Sequence, residues 1–157
     1  MQPTAETQLE GDMYKNVLIA LNDSQAAERA LHRAIAMAAI EKGDLFVVVV
    51  NEEVPIFYSI VWAVSGNYFK ELEDDQRDLS RRLLDDAQKQ AQGHSIHLHS
   101  TLAEGNPVNS ILEAIHQVQA DLLVFGITPH FGLGGVIFGS TAIELVRQAR
   151  CDVLGVH

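Results

Sequence analysis

The constraint that most narrows the possible folds is a set of short, wholly apolar runs separated by segments with helical spacing. Leu45 to Val50 is apolar throughout and largely β-branched, so as a strand it has no polar face to offer water. Such a strand is covered on both sides and is predicted to be central in its sheet. Val17 to Leu21, Leu122 to Phe125 and Val153 to Val156 repeat the pattern at shorter length.

The intervening segments read as helices. Asn22-Asp23-Ser24 ends the first strand, with Asp23 or Ser24 as helix cap, and Ala27, Leu31, Ala34, Ile35 and Ala38 then share one helical face before Lys42-Gly43 closes the turn. Tyr68 to Gln92 is predicted as a long helix with Phe69, Leu72, Leu79, Leu83 and Ala87 inward and its charges on a solvated face. Ile96, Leu98 and Ser100 alternate with His97 and His99, giving a third strand with two imidazoles on one face. No Asp, Glu or Cys lies within two residues to complete a metal site, so an exposed edge face is expected there. Glu104-Gly105-Asn106-Pro107 reads as a compact helix start, Asn106 capping and Pro107 in the first turn, ahead of Val108, Ile111, Leu112 and Ile115. A helix over Thr141 to Arg150 precedes the last strand.

Strands alternating with helices of this length pair in parallel through right-handed crossovers, which predicts a doubly wound α/β domain with helices on both faces. Ligands of such sheets bind beyond the carboxyl ends of the strands, near the switch in strand order. The loops at those ends are Asn22 to Ser24, Asn51 to Pro55 and Gly126 to Ser140.

Composition limits the partners. A chain of 157 residues makes one domain, expected over 13–157, and the formal net charge of −10 repels nucleic acid and anionic membranes alike. No run is long enough to span a bilayer. Met1 to Asp12 is polar and acidic, unlike a signal peptide, and is expected to be a disordered lead-in to a cytoplasmic protein. Cys151, the single cysteine, cannot form an internal disulfide and reads as a packed thiol. Val54 to Val64 is too apolar for an ordinary surface loop; a lid over a ligand, a subunit contact and packing on its own domain all fit it.

The chemistry gathers in Gly126-Ile127-Thr128-Pro129 and, after nine further residues, Gly139-Ser140-Thr141. A glycine-rich link from strand to helix offers free N–H groups and the positive end of a helix dipole to an anion. From Ser100 through Val146 there is no Lys or Arg, so an anion there is held by backbone dipoles, hydroxyls and an accompanying Mg²⁺. Binding suits that arrangement better than phosphoryl transfer, which depends on cationic stabilisation. His130 is the titratable side chain of the loop, and Ser140 lacks the G-x-S-x-G surroundings of a nucleophile; neither is expected to be catalytic. No metal site is assigned.

The segment Val17 to Ser24, the element Glu104 to Pro107, the loop Gly126 to Ser140 and the ending Ala149 to Leu154 resemble the universal stress protein family over Met13 to His157. The resemblance implies a five-stranded parallel sheet in the order 3-2-1-4-5, adenine nucleotide alpha hydrolase-like, and frequent dimers paired through the last strand, here 152–157. It also implies regulatory rather than enzymatic action, slow ATP hydrolysis being the lesser possibility, and an adenine nucleotide, ATP or AMP, as ligand. On this chain the implied contacts are Ala20, Leu21, Asn22, Asp23 and Ser24 at the first strand, main chain around Val49, Val50 and Asn51 for adenine, and Gly126, Ile127, Pro129, His130, Gly132, Gly139, Ser140 and Thr141 for the phosphates. Two positions depart from the family pattern. Asn22 stands where nucleotide-binding members carry an acidic residue, and Pro129 replaces the second glycine, removing one N–H. The alternative is a module without nucleotide that works by protein contact, through its dimer edge and the 54–64 segment.

Overall fold

The computed structural model describes residues 13–52, 68–128, 130–132, 135–137 and 139–157; Tyr68, Phe69, 130–132 and 135–137 are described by their backbone alone. The expected lead-in 1–12, the apolar stretch 54–64 and Pro129 lie outside the described residues. The elements follow one another as β1 (Asn16–Ala20), α1 (Gln25–Glu41), β2 (Asp44–Asn51), α2 (Tyr68–Gly93), β3 (Leu98–Glu104), α3 (Pro107–Val118), β4 (Leu122–Gly126), β5 (His130–Gly132), β6 (Gly135–Ile137), α4 (Ser140–Gln148) and β7 (Asp152–Val156). Five strands form a parallel sheet in the order β3-β2-β1-β4-β7, so β7 is the fifth strand that the sequence leads one to expect.

Each face of this sheet is sealed by its own pair of helices. On one, Val17, Ile19, Val47 and Val49 pack with the α1 residues Ala27, Ala30, Leu31 and Ala34 and with Ala87 and Ala91 of α2. On the other, Leu18, Val48, Leu123 and Phe125 meet Ile111, Ala114 and Ile115 of α3 and Leu145 of α4. Alternation along β1 and β2 therefore sorts side chains between two cores, although every residue in the run is apolar.

Local chemistry sets the ends of the elements. Ser24 rather than Asp23 caps α1, its side chain accepting from Ala27 N at 3.1 Å. Asn22 Oδ1 in turn accepts from Ser24 N at 3.0 Å. At the far end of α1 the left-handed residue is Lys42 (φ 54), while Gly43 is there because a Cβ would stand 2.6 Å from Tyr14 O. Gly105 takes φ 120, and Asn106 caps α3 by accepting from Asn109 N at 3.1 Å. At the amino end of the sheet, Asp121 accepts from Lys15 N at 2.8 Å and Asn16 N at 3.1 Å, which ties β1 to the turn before β4.

Three expectations need correction. On α2, Leu72 and Leu79 are 46% and 42% exposed; the inward stripe is Ser80, Ala87 and Ala91, with Leu83 as expected and Leu84 packed at its side. The glycine-rich link is not an irregular loop throughout: β5 and β6 form an antiparallel ribbon pairing His130 with Ile137 and Gly132 with Gly135. The third strand starts at Leu98 rather than Ile96. Its imidazoles do share the exposed edge face, His97 edge-on to His99 at 4.6 Å and His99 stacked on Phe46 at 5.0 Å.

Gly126 is where α1 and β4 touch. A Cβ there would collide with the backbone of Ala26 and Ala27 in the first turn of α1. Gly126→Ala is expected to cost about 1–3 kcal/mol, the usual range for overpacking, measured as a lowered urea midpoint with an unchanged slope; an unaltered midpoint would contradict the close approach. A second prediction concerns Tyr14, whose hydroxyl donates to Asp152 Oδ2 at 3.0 Å. That hydrogen bond holds the phenol proton and raises the Tyr14 pKa above its ordinary 10.0. A raised folded pKa gives stability that is full below the unfolded value and lost as pH climbs through the folded one. The advantage of wild type over Tyr14→Phe in thermal melts should therefore be full at about pH 9 and shrink in more alkaline buffer. A pH-independent difference would rule the bond out as its source.

Candidate functional site

Where strand order reverses, β1 and β4 lie side by side, α1 leaves towards one face, and α3 and α4 both begin on the other. The result is a cleft of about 270 Å³ at the carboxyl ends of β1 and β4. Its floor is Ala20, Val48, Val50 and Phe125, its rim Asn22, Glu52, Gly126, Ile127 and Thr128, and its far wall the helix starts at Pro107 and Gly139 with Thr141. Both helices point their amino ends at this space, so both dipoles present their positive ends to it. α4 begins at Gly139, which has no side chain to cap the first turn, in contrast to Ser24 on α1 and Asn106 on α3. Among the described residues no side chain takes up its first N–H groups.

Of the residues expected at the site, Ala20, Leu21, Asn22, Val50, Gly126, Ile127, Gly139 and Thr141 line this cleft. Asp23 and Ser24 do not: they border a separate groove on the opposite face, between α1 and α2, with Glu28, Asp86 and Gln90. Ser24 is there because its hydroxyl serves as the cap of α1. Ser140 occupies the first turn of α4 and is exposed outside the cleft lining. Val49 is buried in the core on the α1 and α2 side, since the strand alternation that turns Val48 and Val50 to the cleft turns Val49 away. Of His130 and Gly132 the backbone is known, as part of the ribbon.

The main chain beside Val49 has a different standing. β1 pairs with β2 only as far as Ala20 opposite Val48, with Leu21 N donating to Val48 O at 2.9 Å. Past that point β2 runs on to Asn51, and among the described residues no strand pairs with its β1-facing edge, which borders the cleft. Asn51 itself is 7% exposed; its Oδ1 accepts from Ser80 Oγ at 2.5 Å and its carbonyl accepts from Gly105 N at 2.9 Å, so it joins β2, α2 and the start of α3. It supports the rim rather than lining it.

Two glycine-loop positions also serve the fold. Gly126 lines the cleft and is in addition held to glycine by its packing on α1. The Ile127 N–H is already used, donating to Val156 O at 2.6 Å, so it cannot serve an anion. What remains at this end is Thr128 with its hydroxyl, and the α4 start with Thr141. Thr128 belongs to the glycine-loop motif and Glu52 to the Asn51 to Pro55 loop named from sequence, although neither was among the implied contacts; Pro107, Ile111, Ala142 and Leu145 were not singled out as cleft residues. For Pro107 the signal was present, because a helix crossing back over β1 has to begin at the same end of the sheet as the switch point. Among the described residues, no Lys or Arg lines the cleft, and no group of three His, Cys, Asp or Glu is placed to hold a metal. Cys151 is half-buried, and that burial pushes its thiol pKa up, as expected of a packed cysteine.

Comparison with known proteins agrees with this architecture. The model of the universal stress protein family matches residues 13–157. A universal stress protein of Methanocaldococcus jannaschii is 29% identical over 147 residues, covering 92% of this chain and 83% of that one. A crystal structure of a member of the same family from Burkholderia pseudomallei superposes with a TM-score of 0.70 at 30% identity, covering 93% of this chain and 98% of the other. The universal stress protein of Archaeoglobus fulgidus solved in complex with dAMP gives a TM-score of 0.68 at 20% identity, over 92% and 99% of the two chains. The parallel sheet in the order 3-2-1-4-5, the switch-point cleft and a family match running from residue 13 to residue 157 together make this chain a member of the universal stress protein family.

Proposed function

We propose that the cleft binds an adenine nucleotide, ATP or AMP, as a regulatory ligand without turning it over. The observation that carries this reading is the start of α4, uncapped by any side chain and opening into a cleft at the strand-order switch. The phosphates sit at Gly139 and Thr141, the ribose beside Asn22, and the base against Val50 and the free edge of β2. Asn22 replaces a carboxylate at this position by an amide, which donates as well as accepts and does not repel phosphate. The Archaeoglobus relative in complex with dAMP supports the ligand class. Turnover is not expected, because the described lining offers no cationic side chain to stabilise charge moving between phosphoryl oxygens. An accompanying Mg²⁺ would act as the phosphate counter-charge.

Isothermal titration with ATP, AMP and cyclic AMP, with and without Mg²⁺, tests the proposal. Heat of binding for at least one of them is expected; none for any would leave a protein-contact module. Gly139→Val is the matching variant. Gly139 has φ −58, which any residue adopts, and a Cβ there meets nothing within 4 Å, so the domain should fold with a similar Tm. Affinity should fall by about tenfold or more as the branched side chain covers the α4 start. Retained affinity in a folded variant would place the ligand elsewhere.

The same reading includes a homodimer through strand 152–157. β7 is an edge strand whose Asp152 and Val156 bond inward, Asp152 N to Asp121 O at 3.1 Å and Ile127 N to Val156 O at 2.6 Å. The groups of Val153 and Gly155 therefore point outward, unpaired within the chain. Beside this edge Ile143 and Val146 of α4 are 46% and 60% exposed, an apolar pair for the partner to cover. Val153→Pro deletes an outward N–H without touching the bonds to β4. Sedimentation equilibrium should show a dimer for wild type and a monomer for this variant; a monomeric wild type would refute the pairing.

A further inference from the structure

The two ends of the cleft have opposite hydrogen-bonding character. At one lies the α4 start, which donates; at the other lies Glu52, the one ionisable side chain among the described residues of the lining. Glu52 is exposed, follows directly on Asn51 at the end of β2, and has no ion-pair partner among the described residues. As a carboxylate it can only accept. The chain reaches α4 from β4 and Glu52 from β2, and β1 lies between those two strands, so their carboxyl ends are two steps of about 4.8 Å apart. A nucleotide lying across these strand ends can reach from one to the other.

We infer that Glu52 is the residue that selects the base, accepting a hydrogen bond from the exocyclic 6-amino group of adenine. This rests on the nucleotide reading above and adds to it a side-chain discriminator. The chemistry is asymmetric. A 6-amino purine puts a donor against an acceptor, whereas a 6-oxo purine in the same pose puts a carbonyl oxygen against a carboxylate, two acceptors with no proton between them. The neighbouring lining, Val48, Val50, Pro107 and Ile111, is apolar and holds the ring by contact without regard to its substituents. Among the described side chains that line the cleft, Glu52 is the ionisable one that can tell the two substituents apart. An amide at this position removes the preference, because it can donate to a 6-oxo group as well as accept from a 6-amino one.

Competition binding with ATP, ITP and GTP on wild type, Glu52→Gln and Glu52→Ala tests the assignment. Wild type should bind ATP about tenfold tighter than ITP, the size of one charged hydrogen bond. In Glu52→Gln the ratio should fall towards one through a gain in ITP affinity, and in Glu52→Ala it should fall through a loss in ATP affinity. Because Glu52 is exposed, both variants should keep the wild-type circular dichroism and Tm. ATP and ITP binding wild type with a ratio that neither variant changes would overturn the role of Glu52 and leave the nucleotide site standing. GTP binding more tightly than ATP would overturn the 6-amino assignment. Binding of none of the three to wild type would remove the nucleotide site and this inference together.

Discussion

The two-sided pairing of β1 is the constraint from which the rest of the molecule follows. β1 bonds to β2 on one side and to β4 on the other, in register from Val17 to Ala20 on both. The chain builds outward from it in one direction to β3 and then has to cross back over it to lay down β4 and β7. Right-handed crossovers put α1 and α2 on one face and α3 and α4 on the other. At the reversal none of the described connections covers the ends of β1 and β4, so the cleft is a product of topology, independent of the side chains that line it.

Electrostatics then decides what such a cleft can hold. The chain carries a net charge of −10, and the described lining has no cation. On the proposed reading an anion is held by the fixed partial positive charge of the helix N-termini, in a setting where water cannot screen it fully. This makes the α4 start sensitive to small steric changes. It also explains why a glycine cap, which costs helix stability relative to Ser or Asn, is compatible with the site: a side-chain cap would compete with the ligand for the same N–H groups.

The order of strands and the caps at Ser24 and Asn106 could be read from sequence because they depend on local rules, on apolar runs, cap chemistry and loop length. What the sequence left open depends on neighbours that it does not show. Val49 sits in an unbroken apolar run, where only the assembled sheet decides which face each side chain takes. Gly126 belongs to a glycine-rich stretch that suggested ligand approach, while its actual constraint is the α1 backbone packed on it. Leu72 and Leu79 fit a helical stripe, yet the face of α2 that meets the sheet is the one bearing Ser80, Ala87 and Ala91. The ribbon of β5 and β6 is too short for period-two alternation to register. Glu52 follows an apolar strand as an ordinary acidic residue, and only the free edge of β2 brings it to the rim.

The bond from Ile127 N to Val156 O, with the Ile127 side chain resting where a Cβ on Gly155 would stand, makes the penultimate residues of the chain part of the foundation beneath the cleft. A side chain added at Gly155 therefore displaces Ile127 and, through it, the backbone that leads to Thr128, although Gly155 itself lies outside the cleft lining.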